Sequence, residues 1–546
     1  MLRAYCLLAL WCISIKSTAQ SEPKVKIDAL LQEYEIQDAP GLAIRVLQDT
    51  TILYSRGIGS ANLDYNIKNS DSTIFSLASI SKQFTAAAIW ALIQESKLNL
   101  EDPITLFFPG FPSYGKSIQI KHLLNHSSGI RNYHTLMHLS GFDYDKNYYD
   151  NSYVLELAQR QKNLNHFPGE KITYSNTNYN LLALIVEQVS GQNLDTYLKT
   201  KILNPLGMKN TFVKVTSGKP IKNRAIGYQK QEDGFVYNTS NQLSYGAGSM
   251  GSNLIDMTLW AQMLNEETPK FKDLAKFLKT SEVLASGQEA TYTRGLMLDH
   301  YKGFKTFSHS GFGFGGQTQF ISVPDKKISI IILTNLQSIN PTPIAYQILN
   351  LFISSEEKEL IEIDPFEPYE PQNLNQFIGD YIEINSDMTM QILVENDTLK
   401  AMGSKGKTKI PLLQNSSNEF VRHHAQNVKY NFKKTPTYDM TISFGGTPFY
   451  FKRIKLIKQI PNHLEDYTGN YFSEELQATY HFFIENDTLK LSYAQHDTIT
   501  LHPILINQFG NGDRTLYHFI SSNNNNITGM LLSCDGQVSN IEFVKD

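Results

Sequence analysis

The last third of this 546-residue chain repeats itself, and nothing else in the sequence restricts the fold so tightly. Phe377-Ile-Gly-Asp-Tyr381, followed by Glu395-Asn-Asp-Thr-Leu-Lys400, returns as Tyr467-Thr-Gly-Asn-Tyr471, followed by Glu485-Asn-Asp-Thr-Leu-Lys490. The glycines lie 469 − 379 = 90 residues apart and the second landmarks 485 − 395 = 90 apart. Two landmarks at one offset mark a duplicated structural unit. Each copy alternates apolar and polar residues between Asn or Asp turns, as in Tyr480-His-Phe-Phe-Ile-Glu-Asn-Asp-Thr-Leu-Lys-Leu491, the pattern of antiparallel strands with one buried face. Two small all-β barrels or sandwiches are therefore expected, at 373–458 and 459–546. Neither copy holds an evident catalytic cluster, so both read as structural modules.

Ahead of the repeat, Glu356, Glu357, Glu359, Glu362, Asp364, Glu367 and Glu370 alternate with Pro365, Pro368 and Pro371. An acidic, proline-punctuated stretch of this kind is a semi-rigid linker, expected at 356–372. Residues 21–355 mix strand and helix patterns. Gly41–Gln48 and Thr51–Gly57 read as a hairpin, as do Gln319–Val323 and Ile328–Leu333 around Pro324-Asp-Lys-Lys327. Helical spacing runs from about Ser79 to Lys97 and from Asn178 to Val189, where Gly191 ends it. Strands at both ends with helices between predict an α+β domain, an antiparallel sheet flanked by helices.

The first twenty residues have the pattern of a secretory leader: Arg3, an apolar run from Ala4 to Ile15, then Ser17-Thr-Ala19 before Gln20. Removal of 1–20 would take Cys6 and Cys12 with it and leave Cys534 alone, so no internal disulfide is expected in the mature chain. An exported, disulfide-free protein suits a bacterial periplasm or cell surface. The apolar run is too short to span a bilayer, and no integral span is expected in the mature chain. With 49 basic and 53 acidic side chains the net charge is −4, which gives nucleic acid no electrostatic footprint.

Chemistry concentrates in three places. Ser79-Ile-Ser-Lys82 puts a serine and a lysine one turn apart at a helix start, where the dipole and free amides favour developing negative charge. A lysine held in an apolar site loses its charge readily and could then take the serine proton. The spacing alone is weak evidence, since it recurs at Ser21, Ser113, Ser355 and Ser404 in turn, linker or repeat contexts. Tyr174-Ser-Asn176 offers a phenol and an amide from one loop, and His309-Ser-Gly311 precedes the glycine-rich Phe312-Gly-Phe-Gly-Gly316 on a strand expected to lie at a sheet edge. Glycine there lets a substrate backbone approach closely. His126 and His134, in the loop after Leu124, read as structural. Trp90 and Trp260 read as packing residues, and the tyrosine-rich stretch Phe142–Tyr153 as a surface loop or lid.

Taken together, Ser79-x-x-Lys82, Tyr174-x-Asn176 and His309-x-Gly311 resemble the three motifs of the serine β-lactamase and penicillin-recognising superfamily, in its class C-like carboxypeptidase, D-aminopeptidase and esterase branch. Leu123-Leu-Asn-His-Ser-Ser-Gly-Ile130, Pro168-Gly-Glu170 and Asn204-Pro-Leu-Gly-Met208 look like the stretches that flank those motifs. The resemblance covers about 23–353. It implies Ser79 as the acylated nucleophile, Lys82 and Tyr174 sharing the proton traffic, and Asn176 bonding substrate amide or lysine. It further implies the amides of Ser79 and Phe312 as oxyanion donors, with His309 and Gly311 lining the cleft. No metal or organic cofactor is implied, and the partner is a small-molecule or peptide substrate, with cell-wall contact a possibility and oligomeric state open. Lys-Thr-Gly and Lys-Ser-Gly, usual on the strand in β-lactamases, are absent from the sequence. The resemblance thus favours amide or ester cleavage in D-amino-acid peptides of cell-wall type. A carboxylesterase, a β-lactamase and a non-catalytic receptor for peptidoglycan fragments are the alternatives.

Overall fold

A computed structural model describes residues 22–546 except 145, 241, 266–267, 286, 288, 354–372, 404–407, 423–424, 445–447, 456–462, 495 and 523–525. The expected leader at 1–20 and the linker at 356–372 lie outside the described residues. The described chain packs as two compact units that do not follow chain order. Of the described residues, the first takes 22–95, Val186–Thr280 and 294–353; the second takes Ser96–Ile185, Ser281–Thr293 and 373–546.

The first unit is built on a six-stranded antiparallel sheet of β1 (Leu42–Gln48), β2 (Thr51–Ile58), β3 (Met297–Tyr301), β4 (Phe304–Gly313), β5 (Gly316–Val323) and β6 (Ile328–Thr334), in spatial order β3-β4-β5-β6-β1-β2. Both expected hairpins are present, as β1–β2 and β5–β6. Every residue of β6 is buried, because a central strand covered on both faces needs apolar side chains in both directions. On one face Leu42, Ile44, Val46, Ile328, Ile330 and Ile332 pack with Ile27 and Leu31 of helix α1 (22–31) and with Ile344, Ile348 and Leu349 of the last helix of this unit (Pro341–Leu349). On the other, Arg45 reaches the helix Leu254–Leu264, donating from Nη1 to Leu254 O (3.2 Å) and Thr258 Oγ1 (2.9 Å). Helix α2 (Ser81–Gln94) is buried almost all round, and its small residues Ala86, Ala87 and Ala88 let neighbours close in. Trp260 stacks on Phe84 at 4.1 Å and donates to Gln83 Oε1, a packing role as expected.

The second unit joins the segment before Ile185 to both β modules. In the first module eight strands between Gly379 and Ile454 pair in chain order and close into a barrel. In the second, nine strands form one sheet whose two end strands are Ile499–Thr500 and His502–Leu505. A single residue separates those ends in sequence, so the sheet curls until its edges almost meet. The repeated landmarks are all structural. Tyr381 Oη donates to Phe377 O (2.9 Å) and Tyr471 Oη to Tyr467 O (3.0 Å). Asn396-Asp397 and Asn486-Asp487 adopt positive φ in two-residue hairpin turns, a conformation Asn and Asp tolerate. Glu395 pairs with Lys400 and Glu485 with Lys490 across the same turn.

Phe142–Tyr153, expected as a surface loop or lid, keeps Lys146, Asn147 and Tyr148 exposed and is anchored by buried Tyr149, which gathers Phe142, Tyr144 and Tyr153 against Tyr133, Met137, Val154 and Leu157. One expectation is corrected. The strand carrying His309 is not an edge strand along its length, since β3 pairs with it up to Ser308. Only from His309 onward does β4 outrun that neighbour.

Candidate active site

Within the first unit, the chain enters α2 through a 3₁₀ turn, Ala78–Ile80, so the helix begins two residues later than its sequence pattern predicts. Ala78 takes a φ of 45°, a left-handed conformation costly for a residue with a Cβ. The turn places half-buried Ser79 ahead of the helix and Lys82 beneath it, with Lys82 Nζ 3.1 Å from Ser79 Oγ. Lys82 is fully buried and donates to Ala247 O at 2.8 Å. Burial pushes its pKa well below the ordinary lysine value of 10.5. A neutral amine here has a lone pair to accept the Ser79 proton.

The same turn docks against the free end of β4. A Cβ on Gly311 would lie 2.2 Å from Thr318 Oγ1 and 2.7 Å from Leu77 O, so this position must be glycine. Thr318 Oγ1 donates to Leu77 O (3.0 Å), tying the sheet to the serine turn. His309 is buried, with Nδ1 2.6 Å from Ser310 O. Burial first, and the nearby Lys82 second, hold its pKa down to about 3. It is a neutral ring near pH 7. Phe312 follows with its side chain 66% exposed, and Phe314 is exposed beside it.

Tyr174 and Asn176 lie in the second unit, at the start of helix α3 (Asn176–Ser190). His126 brackets the tyrosine. Its carbonyl accepts from Thr173 N–H (2.9 Å), and its Nδ1 accepts from Ser175 N–H (3.2 Å) and Asn178 Nδ2 (3.2 Å). The imidazole packs 4.3 Å from the Tyr174 ring and 4.5 Å from Tyr292. Asn176 N–H donates to Asn132 Oδ1 at 3.0 Å. His126 is thus structural, as expected, and what it supports is Tyr174. His134 stacks on Tyr133, also a packing role.

Thus Ser79, Lys82, His309, Gly311 and Phe312 fall in one unit and Tyr174 and Asn176 in the other. Sequence reasoning missed Ala247 and Asn132. Gly246-Ala-Gly248 was the available sign of the first, a flexible stretch that lets carbonyls approach α2: Gly246 O accepts from Thr85 Oγ1 and Ala247 O from Lys82. Nothing in the chain marked Asn132.

The family model described as Beta-lactamase matches residues 27–349, more than half of the chain. The chain belongs to the β-lactamase family. Among its β-lactamase relatives, the D-aminopeptidase of Gluconobacter oxydans is 26% identical over 359 residues, covering 65% of this chain and 65% of that protein. Protein flp of Staphylococcus aureus is 28% identical over 328 residues, 58% of this chain and 64% of that one. The chain thus spans just under two thirds of each relative's length. The octameric penicillin-binding protein homologue from Pyrococcus abyssi has the same fold, with a TM-score of 0.53 at 24% identity, covering 87% of this chain and 99% of that one. A β-lactamase-like α+β fold followed by all-β modules is the architecture of this chain.

Proposed function

We propose that this β-lactamase family member is an exported serine hydrolase that forms an acyl-enzyme at Ser79 and cleaves amide bonds in D-amino-acid peptides or amides. The observation that carries the reading is the buried Lys82 amine 3.1 Å from Ser79 Oγ, with its charge suppressed by burial. Ser79 Oγ attacks the substrate carbonyl carbon while its proton passes to Lys82, with Tyr174 sharing the transfer. The oxyanion is held by the backbone amides of Ser79 and Phe312, each such donor contributing about 3–4 kcal/mol. The C–N bond then breaks, the amine leaves with the proton, and water hydrolyses the ester to free Ser79. Relatives that include a D-aminopeptidase support the amide class. A neutral His309 gives a substrate carboxylate no positive partner, which favours amides, esters or amino-terminal residues over peptides gripped by a C-terminal carboxylate. The periplasm or cell surface is the proposed site of action, from the leader pattern at 1–20.

The test is intact-protein mass after exposure to an activated ester, a D-amino-acid amide, a D-alanyl-D-alanine thioester and a penicillin. The native chain is expected to gain one acyl group and Ser79→Ala none, with the fastest turnover on the amide or ester. Absence of any adduct on folded protein favours a fragment-binding receptor instead.

A further inference from the structure

Both β modules touch the segment that carries Tyr174 and Asn176, and all these residues lie in the second unit. In the second module, the turn Asp535-Gly536 takes φ of 63° and 68° and presents Gln537. Gln537 Oε1 accepts from Asn132 Nδ2 at 2.5 Å, and Gln537 O accepts from Asn165 Nδ2 at 2.7 Å. Asn132 is the same residue whose Oδ1 receives the Asn176 N–H. In the first module, the Tyr450 ring lies 4.8 Å from Lys171 Nζ, three residues before Tyr174. Arg131, next to Asn132, fixes the arrangement. Its Nη1 meets Glu475 Oε2 at 2.5 Å and its Nη2 donates to Ser539 O at 2.7 Å, with both members of the ion pair 1% exposed.

The repeat itself separates scaffold from contact. Residues common to both copies serve turns and corners, whereas those that reach the Tyr174 segment differ between copies. Glu475 stands where the first copy, 90 residues earlier, has Asn385. In the closing strands the shared tyrosines pair Tyr381 with Arg453 and Tyr471 with Lys545, an offset of 545 − 453 = 92. By that register Tyr450 stands where the second copy has Glu542.

We propose that the two C-terminal modules are positioning parts of the active site, holding Tyr174-Ser-Asn176 at its two ends through Gln537–Asn132 and through Tyr450–Lys171. The inference rests on the acyl-enzyme reading above, in which Tyr174 shares the proton transfer. Gln537 and Tyr450 touch no reacting atom; they act through the loop they hold.

The experiment compares steady-state kinetics, the pH profile and thermal melting for Gln537→Ala, Gln537→Glu, Lys171→Met and Tyr174→Phe in the full chain, with an activated ester as substrate. Gln537→Ala is expected to lower kcat by roughly 10- to 100-fold with KM little changed, because a misplaced catalytic group slows chemistry more than binding. The acid limb of its pH profile stays in place while the plateau falls. Gln537→Glu still accepts from Asn132 Nδ2 and restores most of the rate. Native kcat in a folded Gln537→Ala, or no rescue by Gln537→Glu, overturns the proposal. Should Gln537→Ala melt out, Lys171→Met decides, since it removes the cation from the Tyr450 ring: a lower kcat at native melting temperature supports the clamp and an unchanged one refutes it. A native rate in Tyr174→Phe sinks the underlying reading; a slow Tyr174→Phe beside a native Gln537→Ala sinks this inference alone.

Discussion

Taking the Lys82 ammonium out of water costs several kcal/mol, and the residue avoids that cost by releasing its proton, which leaves an amine against Ser79 Oγ. Its pKa in the fold is lowered, so above that value the base is ready and below it the base is occupied. The acylation rate is therefore expected to rise with pH through a limb well below 10.5 and to be lost on the acidic side, as stopped-flow acylation across pH 4–10 will read. In the window between folded and unfolded pKa values the unfolded chain binds the extra proton, so stability too rises with pH there. Lys82→Arg, which cannot deprotonate, is expected to lose acylation altogether while still filling the site. His309 carries the complementary prediction. Held down to about 3, it is neutral in the working range. His309→Lys would restore a cation ahead of Ser310-Gly311, and penicillin acylation, measured by mass, is expected to increase relative to ester turnover.

At the scale of elements, the close docking of β4 on the Ala78–Ile80 turn makes Gly311 the test position. Gly311→Ala puts a methyl group 2.7 Å from Leu77 O and forces strand and turn apart. Acylation is expected to fall on the order of 10²-fold, checked by single-turnover kinetics alongside a melting curve. The elements themselves were largely legible in the chain. Both hairpins, α2, α3 and the repeat follow from periodicity, and Ser79-x-x-Lys82 from local spacing, because each depends on neighbours in sequence. What escaped depends on distant partners. Ala247 O reaches Lys82 across 165 residues, and Asn132 reaches Gln537 across 405. The small aromatic core inside Phe142–Tyr153 escaped for another reason. Tyrosine serves surfaces and cores alike, and only the packing of Tyr149 against its neighbours decides which.

On the scale of the whole molecule, a buried ion pair joins the segment before Ile185 to the C-terminal module. Removing one member of such a pair typically destabilises by 3–5 kcal/mol, because the other charge stays buried alone, whereas replacing both with apolar residues is often neutral. Truncation after residue 455, which deletes Glu475 and Gln537 together, is expected to give a chain that does not melt cooperatively. Glu475→Leu alone should lower the melting temperature, and Arg131→Met with Glu475→Leu should recover most of the loss, as calorimetry will show. The pair also sets a timetable. Arg131 emerges from the ribosome 344 residues before Glu475, roughly 20 s to a minute earlier at ordinary synthesis rates. For all that interval a guanidinium destined for burial has no carboxylate to meet, so this buried pair cannot close until residue 475 has been made.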